Sequence, residues 1–305
     1  MTKFYEDRQQ IVTWLKKHKV KSYTLVPDEK YGFIVNVNGD VNLKGKKFLS
    51  IPIKFSEIIG SFYCSSNKLK SLEFCPQTVG GNFWCENNKL TSLEFCPKVV
   101  GGSFYCYDNK LISLEFSPET VEGSFYCSNN ELTSLEFSPA TVGGDFLCNN
   151  NQLTSLKFSP TNIRSGFYCN NNQLTSLEFS PKTVGGNFYC SNNKLTSLKF
   201  SPKTVGNDFY CSNNELTSLN FCPQAIGGSF YCENNKLTSL EFCPQIVRDS
   251  FYCKNNPELK EIQEINDFKL IYLEHKKTLI TKFSDKLENK LVNNNNSKKT
   301  AKIKI

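Results

Sequence analysis

The sequence predicts a β-rich repeat solenoid: about ten coils of 21 residues forming a parallel-strand array, preceded by a degenerate coil and sealed at both ends. Three observations lead there. Ten cysteines recur at an unvarying interval of 21 residues: Cys64, Cys85, Cys106, Cys127, Cys148, Cys169, Cys190, Cys211, Cys232 and Cys253. Other columns run in step with them, from Phe62 to Phe251, Asn67 to Asn256, Leu69 to Leu237, Leu72 to Leu240, Phe74 to Phe242 and Pro76 to Pro244. Finally, one such unit carries too few apolar side chains to offset the ordering of its own backbone, so the units must stack to fold.

Taken from the N-terminus, residues 1–38 lie outside the repeats. Phe4, Ile11, Val12 and Leu15 fall at helical spacing, and two short extended runs flank Pro27-Asp28-Glu29, which predicts a small α/β cap. The solenoid itself spans 39–262. It opens with Val41, Leu43, Phe48, Ile51 and Ile53, a degenerate first coil. In each later coil, Phe-Tyr-Cys is a short period-2 segment, with Phe and the small, readily buried Cys inward and Tyr outward. A buried Asn beyond it can donate to and accept from the backbone groups of a turn, coil after coil. Pro and Gly mark turns on the opposite side, and the return arm is too short and too rich in both to be a regular helix. After Pro257 the register slips by one. An amphipathic helix is expected from Asp267 to Leu291, N-capped by Asn266, within a C-terminal helical cap over 263–292. The basic, Asn-rich tail 293–305 reads as disordered.

The coil also carries a family resemblance. Phe-x-Cys-x-x-Asn-x-Leu resembles the Leu-x-Leu-x-x-Asn-x-Leu core of leucine-rich repeats, with Phe and Cys in two Leu slots. Leu-Thr-Ser-Leu-x-Phe-Ser/Cys-Pro is similar to the Leu-Thr-Ser-Leu-Pro-x-Leu-Pro of bacterial-type short repeats. With Val-Gly-Gly before each strand, the pattern over residues 39–262 also resembles leucine-rich-repeat-like proteins of giant DNA viruses and large phages. The resemblance implies a binding scaffold with a protein partner, a host or virion protein if the viral likeness holds. It names no ligand. Phe and Cys in place of Leu leave two geometries open, a curved horseshoe and a straighter β-solenoid.

Composition narrows the function. Residues 1–56 carry 11 basic and 5 acidic side chains, residues 57–256 carry 14 and 17, and residues 257–305 carry 11 and 7. The array is therefore mildly acidic, so no nucleic acid is expected along it. No apolar run approaches membrane-spanning length and the first 30 residues lack a signal-peptide core, so a soluble, intracellular, cytoplasmic protein is expected, neither membrane-bound nor secreted. The 14 cysteines include no Cys-x-x-Cys and only two histidines accompany them, which points to reduced, structural thiols rather than disulfides or zinc. A second, partial column, Cys75, Cys96, Cys222 and Cys243, alternates with Ser117, Ser138, Ser159, Ser180 and Ser201, as a small packing position would. No nucleophile–base pair, phosphate loop or carboxylate pair stands apart from the periodicity, so neither catalysis nor a cofactor is expected. Some effectors with similar repeats carry a catalytic-Cys ubiquitin-ligase domain, but the stretch after Cys253 is short and has no Cys.

The candidate binding residues form the outward column Tyr63, Trp84, Tyr105, Tyr126, Tyr168, Tyr189, Tyr210, Tyr231 and Tyr252, with Leu147 in the remaining slot. Tyr and Trp combine apolar area with a polar handle and suit protein hot spots. The same ladder could instead serve only to hold adjacent strands together. Departures from the repeat, Trp84, Glu86, Tyr107, Leu147 and Glu233, are where specificity would reside. A second outward row, Glu73, Glu94, Glu115, Glu136, Lys157, Glu178, Lys199, Asn220 and Glu241, reads as a solvated face or as an attractor for a basic partner. Lys298, Lys299, Lys302 and Lys304 read as a solubilising tail or an anionic-surface contact. The expected function is a non-catalytic protein-interaction scaffold. The alternatives are a structural rod or virion component and a glycan-binding module.

Overall fold

Asp7 starts the first element. Its carboxylate accepts the Gln10 N–H at 3.0 Å, capping helix α1 over Arg8–Lys17. Ile11, Trp14 and Leu15 form the buried face of α1, and Trp14 packs on Phe48 and Phe55 at the open end of the core. The computed structural model describes residues 4–259. Phe4, at helical spacing in the sequence, precedes α1, because the helix cannot extend back through its cap at Asp7. Strands β1 (Tyr23–Asp28) and β2 (Gly32–Val37) form an antiparallel hairpin, its turn held by Asp28 Oδ1 accepting from Lys30 and Tyr31 N–H. The degenerate coil supplies β3 (Val41–Asn42) and β4 (Lys54–Ile58). The expected C-terminal helix and tail lie outside the described residues.

From β3 onward each coil contributes one two-residue strand to an 11-stranded, all-parallel sheet ending at Phe251–Tyr252. Register is in phase throughout: Phe62 faces Phe83, Phe83 faces Phe104, and so on. The opposite side carries two further sheets, parallel except at the β1–β2 hairpin and built mainly from the Thr-Val positions. Seven strands run from the hairpin through β4 to Thr141–Val142, and four run from Thr183–Val184 to Ile246–Val247. Between them Ile163 makes a single bridge, to Val184, in the coil where Asn162-Ile163-Arg164-Ser165 replaces Thr-Val-Gly-Gly. Pairing on both sides holds both near the parallel-strand spacing of about 4.8 Å. Close stacking explains the glycines: a Cβ on Gly101 would lie 2.3 Å from the Gly80 carbonyl oxygen of the preceding coil.

The core is a set of columns. Phe62 through Phe251 are fully buried, with successive ring centroids 5.2–5.9 Å apart. Two Leu columns, the Cys64 column and the Val79 column fill the rest. All 14 thiols are free and buried. Burial pushes the thiols of the Cys64 column up, to about 11 at Cys253 at its exposed end. Each thiol from Cys85 to Cys232 donates to the carbonyl of the outward residue in the next coil, as Cys85 does to Tyr105 O at 3.2 Å.

Polar side chains run in ladders as regular as the core. Asn151 is typical: its Nδ2 donates to Cys127 O and Cys148 O at 3.1 Å and to Asn149 O at 3.3 Å, while its Oδ1 accepts Leu132 N–H at 3.0 Å. The residue before each strand, Asp40, Ser61, Asn82, Ser103 or Ser124, offers a side-chain oxygen to the N–H one coil ahead. Ser, Asn and Asp interchange there because an acceptor is all the position asks. Ser71 and its equivalents accept from the N–H two residues on, a local turn that fixes the corner after the first Leu. The Cys75 column behaves similarly. Cys96 Sγ donates to Phe116 O at 3.0 Å and Ser138 Oγ to Phe158 O at 2.7 Å, so Cys and Ser exchange as donors as well as by size.

Candidate functional site

The outward column of the 11-stranded sheet follows from strand alternation: Phe and Cys point in, so the residue between them points out. All nine aromatic candidates stand on this face, partly exposed, and they form two stacks separated by Leu147. In the first, centroids are 5.9 Å apart for Tyr63–Trp84, 3.6 Å for Trp84–Tyr105 and 4.6 Å for Tyr105–Tyr126. In the second, Tyr168, Tyr189, Tyr210, Tyr231 and Tyr252 follow at 4.0–4.8 Å with interplanar angles of 5–25°. The rings cover one another's faces and leave their edges to solvent. Burial pushes the phenols of Tyr126, Tyr168 and Tyr210 up, so they stay neutral hydrogen-bonding groups. Tyr210 donates to Asp208 Oδ2 at 3.2 Å and Asn187 Nδ2 donates to the Tyr168 hydroxyl at 3.4 Å.

The first stack holds the chief irregularity. Two residues after Trp84 on the same face sits Glu86, only 3% exposed. Burial raises its carboxyl above the ordinary carboxylate range. Ser65 comes close enough to favour the charged form, yet the pair misses hydrogen-bond geometry, so Ser65 Oγ and Glu86 Oε2 are both buried without a partner. The indole Nε1 of Trp84 is a third such atom, and Tyr107 closes the group beside Tyr126 with centroids 6.5 Å apart. Buried polar atoms without partners are rare enough to require a reason. Among the described residues there are four: two belong to the departures Trp84 and Glu86, while Ser65 and Ser191 are ordinary occupants of the column that Glu86 interrupts. Glu233, the other acidic departure, stands apart near the C-terminal end.

Hydropathy alone leaves the second Phe column unassigned, and the structure turns it outward. Phe95, Phe116, Phe137, Phe158, Phe179, Phe200, Phe221 and Phe242 are 48–56% exposed. Together with Phe74 they hold φ between +65° and +71°, at the third position of a turn closed by the Cys75 N–H on Leu72 O at 2.8 Å. Gly or Asn is the usual occupant of such a position, and a bulky side chain there costs about 1–2 kcal/mol. The first residue of each Asn pair shows the ordinary solution: Asn87, Asp108, Asn129 and their equivalents sit at +53° to +56°. The Glu row beside the Phe ladder is exposed, with Lys157 and Lys199 each over the neighbouring ring of Phe158 and Phe200.

Among the described residues no three His, Cys, Asp or Glu side chains gather in a metal-binding cluster, and no helix is long and apolar enough to cross a membrane. No protein-family model matches the chain, and no curated protein matches it. Among solved structures it is similar to YopM from Yersinia enterocolitica WA-314, at 20% identity and TM-score 0.48 over 72% of this chain. It is likewise similar to YopM of Yersinia pestis, described as a leucine-rich effector protein, at 19% identity and TM-score 0.40, covering 72% of this chain and 75% of that one. The chain spans about half, 54%, of the first of these structures.

Proposed function

We propose that this chain is a non-catalytic protein-interaction scaffold whose partner docks on the aromatic face, centred on Trp84 and Glu86. The observation that carries the reading is the pair of unpartnered buried polar atoms, Trp84 Nε1 and Glu86 Oε2, on two close departures of the ladder from its repeat. Stability alone would favour an apolar or neutral residue at position 86, because a buried carboxylate with an unpartnered oxygen is costly. A basic side chain of a partner, lying along the ring edges, would supply the missing counter-charge. On the likeness to viral repeat proteins, that partner would be a host or virion protein.

A second reading has its own support. Rings stacked at 3.6–4.8 Å hold neighbouring strands together whatever else they do, as a structural rod requires. The glycan reading is weaker, since a sugar packs on a ring face and these faces are covered by neighbouring rings. The test is affinity capture from host or infected lysate with the wild type and with Tyr105/Tyr126/Tyr189→Ser, after circular dichroism has verified equal folding. A protein held by the wild type and lost by the variant supports the scaffold. Capture of the same proteins by both, or of none, refutes the docking face and leaves the rod.

A further inference from the structure

The exposed Phe ladder is a second surface, on a different side of each coil from the aromatic face. Its residues neither suit their backbone nor fill the core: each sits at a positive φ, and all but Phe74 stand about half exposed. A side chain that recurs in nine coils against both local conformation and burial is there for the surface it makes. At its first rung the chain itself shows what seats on such a ring. Phe4 stacks on Phe74 with centroids 4.5 Å apart and planes 22° apart, and Tyr31 meets the same ring edge-on at 5.7 Å. From Phe95 onward the described chain lays no such cover, and a groove of about 720 Å³ opens beside Phe95 and Phe116.

Charge and spacing say what fits. Glu73, Glu94, Glu115 and Glu136 stand exposed, each immediately before a ladder Phe. Of the two lysines at the groove, Lys54 is engaged with Cys75 O at 3.1 Å, and Glu94 and Glu119 line the groove together with Lys98. We propose that Phe95, Phe116 and Phe137 dock an amphipathic helix of a partner protein, one with an apolar, aromatic-bearing stripe and basic flanks. Three rungs span about 9.6 Å at strand spacing. Residues i and i+7 of a helix are about 10.5 Å apart along its axis, a near match. Same-side residues of a strand step by about 6.7 Å, which misses each rung by about 2 Å. The acidic row disfavours the rival occupant, an anionic membrane surface.

Fluorescence anisotropy on the full chain tests this with a labelled synthetic helix of about 18 residues. The probe bears Phe at i, i+4, i+7 and i+11, Lys on both flanks and Ala elsewhere. Binding by the wild type should weaken at least about tenfold with Phe95/Phe116/Phe137→Asn, since Asn accepts the positive φ. It should weaken similarly with Glu94/Glu115/Glu136→Lys, which leaves the rings in place, and that variant should instead prefer a Glu-flanked probe. Tyr105/Tyr126/Tyr189→Ser should leave this binding intact, which separates it from the aromatic face. Three results overturn the proposal: no binding by the wild type, binding by both ladder variants as tight as the wild type's, or a preference for phosphatidylserine vesicles over the peptide. Should the Asn variant fail to fold, the charge-reversed variant decides alone.

Discussion

Replacing Asn151 by Ala should destabilise the solenoid by about 2–4 kcal/mol. The Leu132 N–H loses the Asn151 Oδ1 acceptor and is left buried, at about 1–3 kcal/mol. Three donations from Nδ2 disappear as well, but two of their acceptors keep a second donor. Cys127 O retains Asn130 Nδ2 and Cys148 O retains Asn172 Nδ2, both at 3.1 Å, so these losses add only about 0.5–1 kcal/mol each at most. Urea denaturation followed by circular dichroism reads the effect as a lower midpoint at unchanged slope. The neighbouring residue is the control. Asn150 is exposed at φ +55°; its side chain accepts from Asn171 Nδ2, and its N–H bond to Asn170 O survives substitution, so Asn150→Gly should stay within about 0.5 kcal/mol of wild type. A cost below about 0.5 kcal/mol for Asn151→Ala, or an equal cost for both, would refute the view that one Asn of each pair ties two coils together.

Glu86→Gln should stabilise the protein at pH 7. Burial raises the folded carboxyl above its ordinary 4.5, so the group contributes stability below that value and loses it as pH rises through the folded value. The gain from Gln should shrink to nothing in melts below about pH 4. Phe137→Asn should be close to neutral, within about 1 kcal/mol, because relief of backbone strain offsets the loss of a half-buried ring. Phe146→Ala, in the buried stack, should cost about 3–5 kcal/mol in the same denaturation assay. Native protein at pH 7.5 should resist alkylation by iodoacetamide at its buried cysteines, and all 14 should react after unfolding in urea. Rapid labelling of the Cys64 column in the native state would contradict the packing.

Much of the coil was legible because strand alternation and a fixed period act on every unit alike. Phe62 and Cys64 inward, Tyr63 outward and a buried Asn67 all follow from spacing and side-chain size. The exchange of Cys96 with Ser117 was legible as a small packing position, but their shared hydrogen bond to a carbonyl one coil away was not. The second Phe column was illegible for a deeper reason. Hydropathy weighs Phe as core, and only the φ of Phe95 reveals a turn that points the ring outward. Phe4 fell at helical spacing, but Asp7 caps the helix three residues later and releases Phe4 to stack on Phe74. At the aromatic face, composition picked out the column and its irregular members. The isolation of Glu86 Oε2 and Trp84 Nε1 depends on packing between coils, which no single repeat encodes.

Hydroxyl-radical footprinting of the complex with a captured partner tests the central claim most directly, because it reads the solvent access of individual aromatic side chains. Binding through the aromatic face predicts protection of Tyr63, Trp84, Tyr105 and Tyr107, with Tyr231 and Tyr252 unchanged. Protection confined to other faces, with Trp84 and Tyr105 as reactive as in the free protein, would contradict it.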